Sequence, residues 1–226
     1  MKKIKWLMVA LLPVGIMLLS QCSSSTDPLS DNTNTSIVNE TLQAPTLDGT
    51  YVGALDEAEQ EGLVYMREEE KLARDVYLTL DDLWNVSIFS NIAMSEQTHT
   101  DAIKTLLDRY QVTDPVQEDV VGKFTNEKLQ ELYNALIDMG NVSLVEALKV
   151  GAAIEEIDIL DLQKEIALVQ ENDDIILVYE SLMKGSRNHL RSFVKTLATE
   201  GVNYEPQYLD TTTFEDIVST ELETGQ

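Results

Sequence analysis

The chain has 226 residues, 43% of them apolar, enough for one sizeable domain with extensions. Its 40 acidic and 16 basic residues give a net charge of -24, which repels nucleic-acid phosphates and gains nothing from anionic lipid surfaces. An acidic surface can attract cations, although solubility alone accounts for it. With only 10 Gly and 5 Pro, and an interior rich in Leu, Glu, Ala and Lys, the composition favours helices and supplies no strand alternation.

Residues 1–22 read MKKIKWLMVALLPVGIMLLSQC: three lysines, an apolar stretch, then the single cysteine. The pattern is that of a secretory leader, separate from the fold. Leu19-Ser20-Gln21-Cys22 resembles a bacterial lipoprotein signal, in which the cysteine becomes the lipidated first residue of the mature protein. Gln21 departs from the small residue usual before that cysteine. The alternative is an ordinary signal peptide or an uncleaved anchor. The resemblance implies a leader over 1–21, lipidation at Cys22, and a protein held at the cell envelope, exported from the cytoplasm and touching the membrane only through its lipid. A Ser/Thr/Asn-rich stretch over 22–50 reads as a tether. With no second cysteine, disulfides and thiolate metal sites are excluded.

The first predicted helix covers 57–83, with Asp56 as N-cap and Glu59 completing a capping box. Leu63, Met66, Leu72, Val76, Leu80 and Leu83 fall at near-helical spacing. At 1.5 Å per residue it spans about 40 Å. A second helix covers about 92–110, a connection follows over 111–124, and a shorter helix over about 126–139 ends with Gly140 as C-cap. A third long helix starts after Ser143, with Glu146 in a capping box, and reaches about Val169. A fourth runs from about Asp173 to Thr199. The last segment, 202–226, reads as a strap with at most one short helix. Four long helices with a long second-to-third connection predict an all-α antiparallel bundle over 51–201.

The two histidines, His99 and His189, fall in the second and fourth long helices. Glu96 and His99, at i and i+3, share a face. The first helix carries Glu68-Glu69-Glu70, a run that ordinarily marks a solvated face. Glu70 nevertheless shares the spacing of Leu63 and Met66, with Tyr77 two turns further along. The third long helix carries Glu155-Glu156 within an apolar stretch, where an unpaired carboxylate costs several kcal/mol unless protonated or metal-bound. Glu156, four residues after Ala152 and four before Leu160, is the preferred inward acid of that pair. Each feature alone is commonplace; acids on two helices facing the only histidines on the other two are not.

The order of these motifs resembles the ferritin-like superfamily. Its di-iron members place a Glu on the first helix, Glu-x-x-His on the second, a Glu on the third and Glu-x-x-His on the fourth. YMREEEKLARDVY, EQTHTDAI, EALKVGAAIEEIDILDL, YESLMKGSRNHLRSFV and NYEPQYL together resemble an uncharacterised ferritin-like domain-of-unknown-function family over roughly residues 55–215. The resemblance implies the fold, with Glu70, Glu96, His99, one of Glu155 or Glu156, and His189 as metal ligands, and Tyr77 as a residue beside the reacting centre. One position departs from the pattern: Ser186 stands three residues before His189, where a Glu is expected. Gly185-Ser186 is also a place for a local bend.

Oxygen and nitrogen ligands of this kind suit Fe, Mn or Zn, as one ion or two. Three function classes follow. The first is a metal-dependent oxidoreductase acting on dioxygen or peroxide. The second is metal binding without turnover, favoured by Ser186 and by the lack of cysteines for an electron-transfer module. The third is a surface interaction protein on a ferritin-like scaffold. Assembly as a homodimer is compatible with all three. No nucleophile elbow and no phosphate-binding glycine loop occurs.

Overall fold

The computed structural model describes residues 53–224. The leader, Cys22 and the tether over 22–50 lie outside the described residues. Those residues form six helices and no strand: α1 (Glu57–Trp84), α2 (Ser87–Tyr110), α3 (Glu127–Gly140), α4 (Leu144–Ile166), α5 (Asp173–Thr199) and α6 (Thr211–Val218). None is long and apolar enough to cross a membrane.

The helix ends follow local chemistry. The Asp56 side chain accepts from Glu59 N–H at 2.8 Å, and the Glu59 carboxylate accepts from Asp56 N–H at 2.9 Å. At α4 only half of that motif forms. Ser143 accepts from Glu146 N–H, while the Glu146 carboxylate turns to Lys149. α2 starts five residues before the expected Ile92, because Asn85 in a left-handed conformation closes α1 and lets the chain re-enter a helix at once. α3 is capped by Asn141 in an ordinary helical conformation, not by a left-handed Gly140. Gly140 has a different reason to be glycine: a Cβ there would lie 2.7 Å from Leu80 Cδ2.

Two apolar clusters fill the interior, and residue order through them gives the helix directions. Leu63 and Met66 of α1 belong to one cluster, Val76, Tyr77 and Leu80 to the other. On α2 the order reverses: Phe89 and Ile92 precede Ile103 and Leu106. α4 runs as α2 does, from Ala147 and Leu148 to Leu162; α5 runs as α1 does, from Ile175 and Leu182 to Phe193. α1 packs on α2 and α4, and α5 packs on α4 and α2, so every such neighbour pair is antiparallel. α3 packs against α1 and α4.

The run MREEEKLARD on α1 is buried rather than solvated, because the connection from α2 to α3 lies over it. Arg67 pairs with Asp114 at 3.1 Å and Arg74 with Asp119 at 2.5 Å. Lys71 Nζ donates to Val120 O and lies 2.5 Å from Asp75 Oδ2. Glu68 accepts from Thr125 N–H at 2.5 Å and Asn126 N–H at 2.9 Å, tying down the entry to α3. The charges of Arg67, Glu68, Lys71, Arg74 and Asp75 are tolerated away from water because each meets a partner of opposite sign or a backbone donor.

Candidate metal centre

Between the two apolar clusters the four long helices each bring polar groups to one level. Helical phase puts them there. Glu70 stands four residues after Met66, and Glu96 four after Ile92; both hydrophobic residues are core. Glu155 follows Gly151 by four, and Gly151 is small because a Cβ would overlap the Phe193 ring. His189 precedes Phe193 by four on the same face of α5. Glu70, Glu96, His99 and Glu155 are at most 1% exposed, and His189 is 9% exposed.

Glu96 is the shared member. Its Oε2 lies 2.8 Å from His99 Nδ1, and its Oε1 lies 2.8 Å from His189 Nδ1. Glu70 Oε2 is 3.1 Å from His99 Nδ1, and Glu155 Oε2 is 3.4 Å from His189 Nδ1. Two triads result, Glu70–Glu96–His99 and Glu96–Glu155–His189, each with its ligating atoms within 4.8 Å of one another. Both Glu96 oxygens and His189 Nδ1 lack a hydrogen bond of acceptable geometry among the described residues despite these short separations, and Glu70 Oε1 and His99 Nε2 are also without a partner there. Donor atoms that converge without pointing at each other fit a common cation placed between them.

Burial and charge compete at every member. Burial raises Glu70, the facing His99 partly offsets this, and its carboxyl settles at about 7. Burial acts the same way on Glu96, but His99 and His189 outweigh it and hold that carboxyl well below the usual range. Burial lowers His189, whereas Glu155 and Glu96 more than reverse this and raise the imidazole to about 9. His99 is likewise pushed well above its ordinary value. Protons on two imidazoles thus balance the carboxylates, a balance that divalent cations would take over on displacing them.

Surrounding contacts orient the set. His189 Nε2 lies 3.0 Å from Ser95 Oγ, a partner that leaves Nδ1 for the cluster. Tyr77, with no exposed surface, donates its hydroxyl to Glu155 Oε1 at 2.5 Å. A narrow cavity lined in part by Leu72, Ala73, Ile154, Glu69 and Asp158 has room for about one water-sized molecule.

Of the residues read from the sequence as ligands, Glu70, Glu96, His99, Glu155 and His189 come together. Glu156, the preferred member of its pair, does not. Its carboxylate faces the strap, accepting from Gln207, Tyr208 and Leu209 N–H and from the Tyr204 hydroxyl at 2.7–3.1 Å. The backbone donors of 207–209 satisfy both oxygens and remove Glu156 from the cluster. Three residues beside the cluster escaped the sequence reading. Ser95 carries no signal. Glu69, 6% exposed, was hidden within an acidic run. Asp158 was legible in principle, being an acid one turn after Glu155 in the same apolar stretch.

Fold and site together define an all-α protein with a buried carboxylate–imidazole cluster of metal-ligating type. Residues 59–221 match the family described as "Uncharacterized protein domain (DUF2202)", and the chain belongs to that family. It is 56% identical over 171 residues to uncharacterized protein MJ0754 of Methanocaldococcus jannaschii, covering 76% of this chain and 92% of the relative. The crystal structure of hypothetical protein MJ0754 superposes with a TM-score of 0.75 at 53% identity, covering 77% of this chain and 99% of the other.

Proposed function

We propose that this is a ferritin-like carboxylate-bridged metalloprotein, an oxidoreductase that holds two iron or manganese ions and acts on dioxygen or peroxide. The observation that carries this reading is the position of Glu96, whose two oxygens each face a different imidazole within a buried set of unsatisfied donor atoms. Glu70, Glu96, His99, Glu155 and His189 would hold the ions; zinc would fit the same donors without redox change. Bound iron or manganese supplies electron transfer and polarises an oxygen ligand. The chain excludes bulk water from the cluster by burying it between two apolar layers. Ser95 engages His189 Nε2 and so turns the Nδ1 edge of the ring toward the cluster. Tyr77 steadies Glu155 and keeps its own proton, because burial and the nearby carboxylates push the phenol well above its usual pKa.

The second reading is metal binding without turnover, which Ser186 favours because it removes one carboxylate from α5. On either reading the leader would carry the protein to the cell envelope on a lipidated Cys22. The deciding experiment is elemental analysis of the purified protein beside a His99→Ala/His189→Ala variant, followed by dioxygen-uptake and peroxide-consumption assays. Near-stoichiometric Fe or Mn that vanishes in the variant, with turnover, is expected. Metal without turnover leaves the second reading. No metal in either protein after reconstitution overturns both and leaves an interaction scaffold.

A further inference from the structure

The cluster contains an internal asymmetry. α1 and α4 each contribute one inward glutamate, Glu70 and Glu155. α2 contributes an acid and a histidine three residues apart, Glu96 and His99. α5 has the histidine, His189, but at the matching position it has Ser186, whose side chain has no carboxylate and no exposed surface.

The missing acid has a neighbour. Ser186 Oγ hydrogen-bonds Asp158 Oδ2 on α4, with the Leu182 carbonyl as a further acceptor at 3.1 Å. Asp158 follows Glu155 by three residues, so both leave α4 on the same face. Asp158 is 4% exposed, and its Oδ1 has no hydrogen-bond partner among the described residues. The matching position on α1 is Ala73, which is also buried and lines the same narrow cavity as Asp158.

We propose that Asp158 is a sixth protein ligand of a two-metal centre, held in place by Ser186, so that α4 supplies the carboxylate that α5 lacks. The proposal rests on the metal-binding reading above. Charge supports it. Glu70, Glu96, Glu155 and Asp158 bring four negative charges, which balance two divalent cations when both imidazoles are neutral. Without Asp158 the same pair of ions would leave a net positive charge in a buried site. Conversely, burial and the charges of Glu70, Glu96 and Glu155 all oppose ionisation of Asp158. A cation at this level converts that conflict into attraction.

The test is titration of the chelator-treated full chain with Mn(II), and anaerobically with Fe(II), comparing wild type, Asp158→Asn, Ser186→Ala and Asp158→Ala/Ser186→Glu. Wild type is expected to bind two ions. Asp158→Asn should keep the first and weaken the second by about tenfold or more. Ser186→Ala should weaken the second ion severalfold, and moving the carboxylate back to α5 in the double variant should restore it. Circular dichroism of each variant reports folding. If Asp158→Asn fails to fold, Ser186→Ala and the double variant decide. Two ions bound by Asp158→Asn with wild-type affinity, or an unchanged Ser186→Ala beside an unfolded Asp158→Asn, overturns the proposal and leaves the metal-binding reading standing. A single ion in wild type does the same, and no ion in wild type overturns both.

Discussion

The Tyr77 hydroxyl donates to Glu155 Oε1 at 2.5 Å, joining α1 to α4 at the level where Glu155 also faces His189. A fully buried phenol donating to a cluster carboxylate fixes the position of that carboxylate. Tyr77→Phe removes the hydroxyl while keeping the ring against Phe193, 5.4 Å away between centroids. Metal content is expected to stay at the wild-type ratio, with a stability loss of about 1 kcal/mol. Peroxide or dioxygen turnover should fall at least about tenfold. Unchanged turnover would restrict Tyr77 to positioning Glu155.

Glu156 should separate cleanly from the cluster. Glu156→Ala leaves the N–H groups of Gln207, Tyr208 and Leu209 without their acceptor, and the strap should detach. A loss of about 2–4 kcal/mol is expected in denaturant melts. Proteolysis between residues 204 and 209 should become faster. Bound metal should be unchanged, whereas Glu155→Ala should lose it; equal metal loss in both variants would contradict this division of labour.

The chelator-treated protein should lose stability as pH rises. His189 is raised from 6.5 to about 9, so its contribution is present below pH 6.5 and lost as pH climbs through 9. Glu70 is raised from 4.5 to about 7, so the low-pH form is favoured there too, and that contribution is lost between those values. Both slopes have the same sign, and the thermal midpoint should fall from pH 6 to pH 10. Metal affinity should move the opposite way over this range, because binding must displace the same protons. Calorimetric titration in buffers of different ionisation enthalpy would count those protons.

Chelation should lower the thermal midpoint at neutral pH. A ligand present at 100 times its dissociation constant, bound only by the folded state, stabilises by about 2.7 kcal/mol. Differential scanning calorimetry with and without chelator, repeated on His99→Ala/His189→Ala, should show a shift in wild type and none in the variant.

Gly151 sets the spacing of α4 and α5 just above the cluster. Gly151→Ala drives a methyl into Phe193, which also packs on Tyr77 and Phe89. A destabilisation of about 1–3 kcal/mol is expected from equilibrium unfolding. Metal affinity should also fall, because the shift is passed to Tyr77 and Glu155.

Legibility differed between helices. On α1 the spacing of Leu63 and Met66 points Glu70 inward, and on α2 spacing puts Glu96 and His99 on one face, whereas their role as ligands came from the resemblance. On α5 the sequence marks His189 as one of only two histidines, in a long helix, without giving the direction it faces. The start of α2 was misjudged because one left-handed residue, Asn85, suffices to reverse the chain where a longer loop was expected. The Glu68-Glu69-Glu70 run ordinarily marks a solvated face, and Glu68 departs from that because the residues it meets, Thr125 and Asn126, are distant in sequence. No periodicity along α1 reveals that a connection returns to pair with its charges.

By itself the sequence determined four long helices, their order, the long connection before α3, and the acids and histidines able to meet at one level. These are properties of a single helix and its phase. Only the tertiary structure decided which acid of α4 is used. α4 is enclosed by α1, α3, α5 and the strap, and Glu155, Glu156 and Asp158 are all buried on it, so apolar neighbours surround every one of them. Phase cannot choose a direction along the middle of α4, where residues 147–159 have no exposed member. What lies across each side chooses it: backbone donors of 207–209 for Glu156, the His189 imidazole for Glu155, and the Ser186 hydroxyl for Asp158.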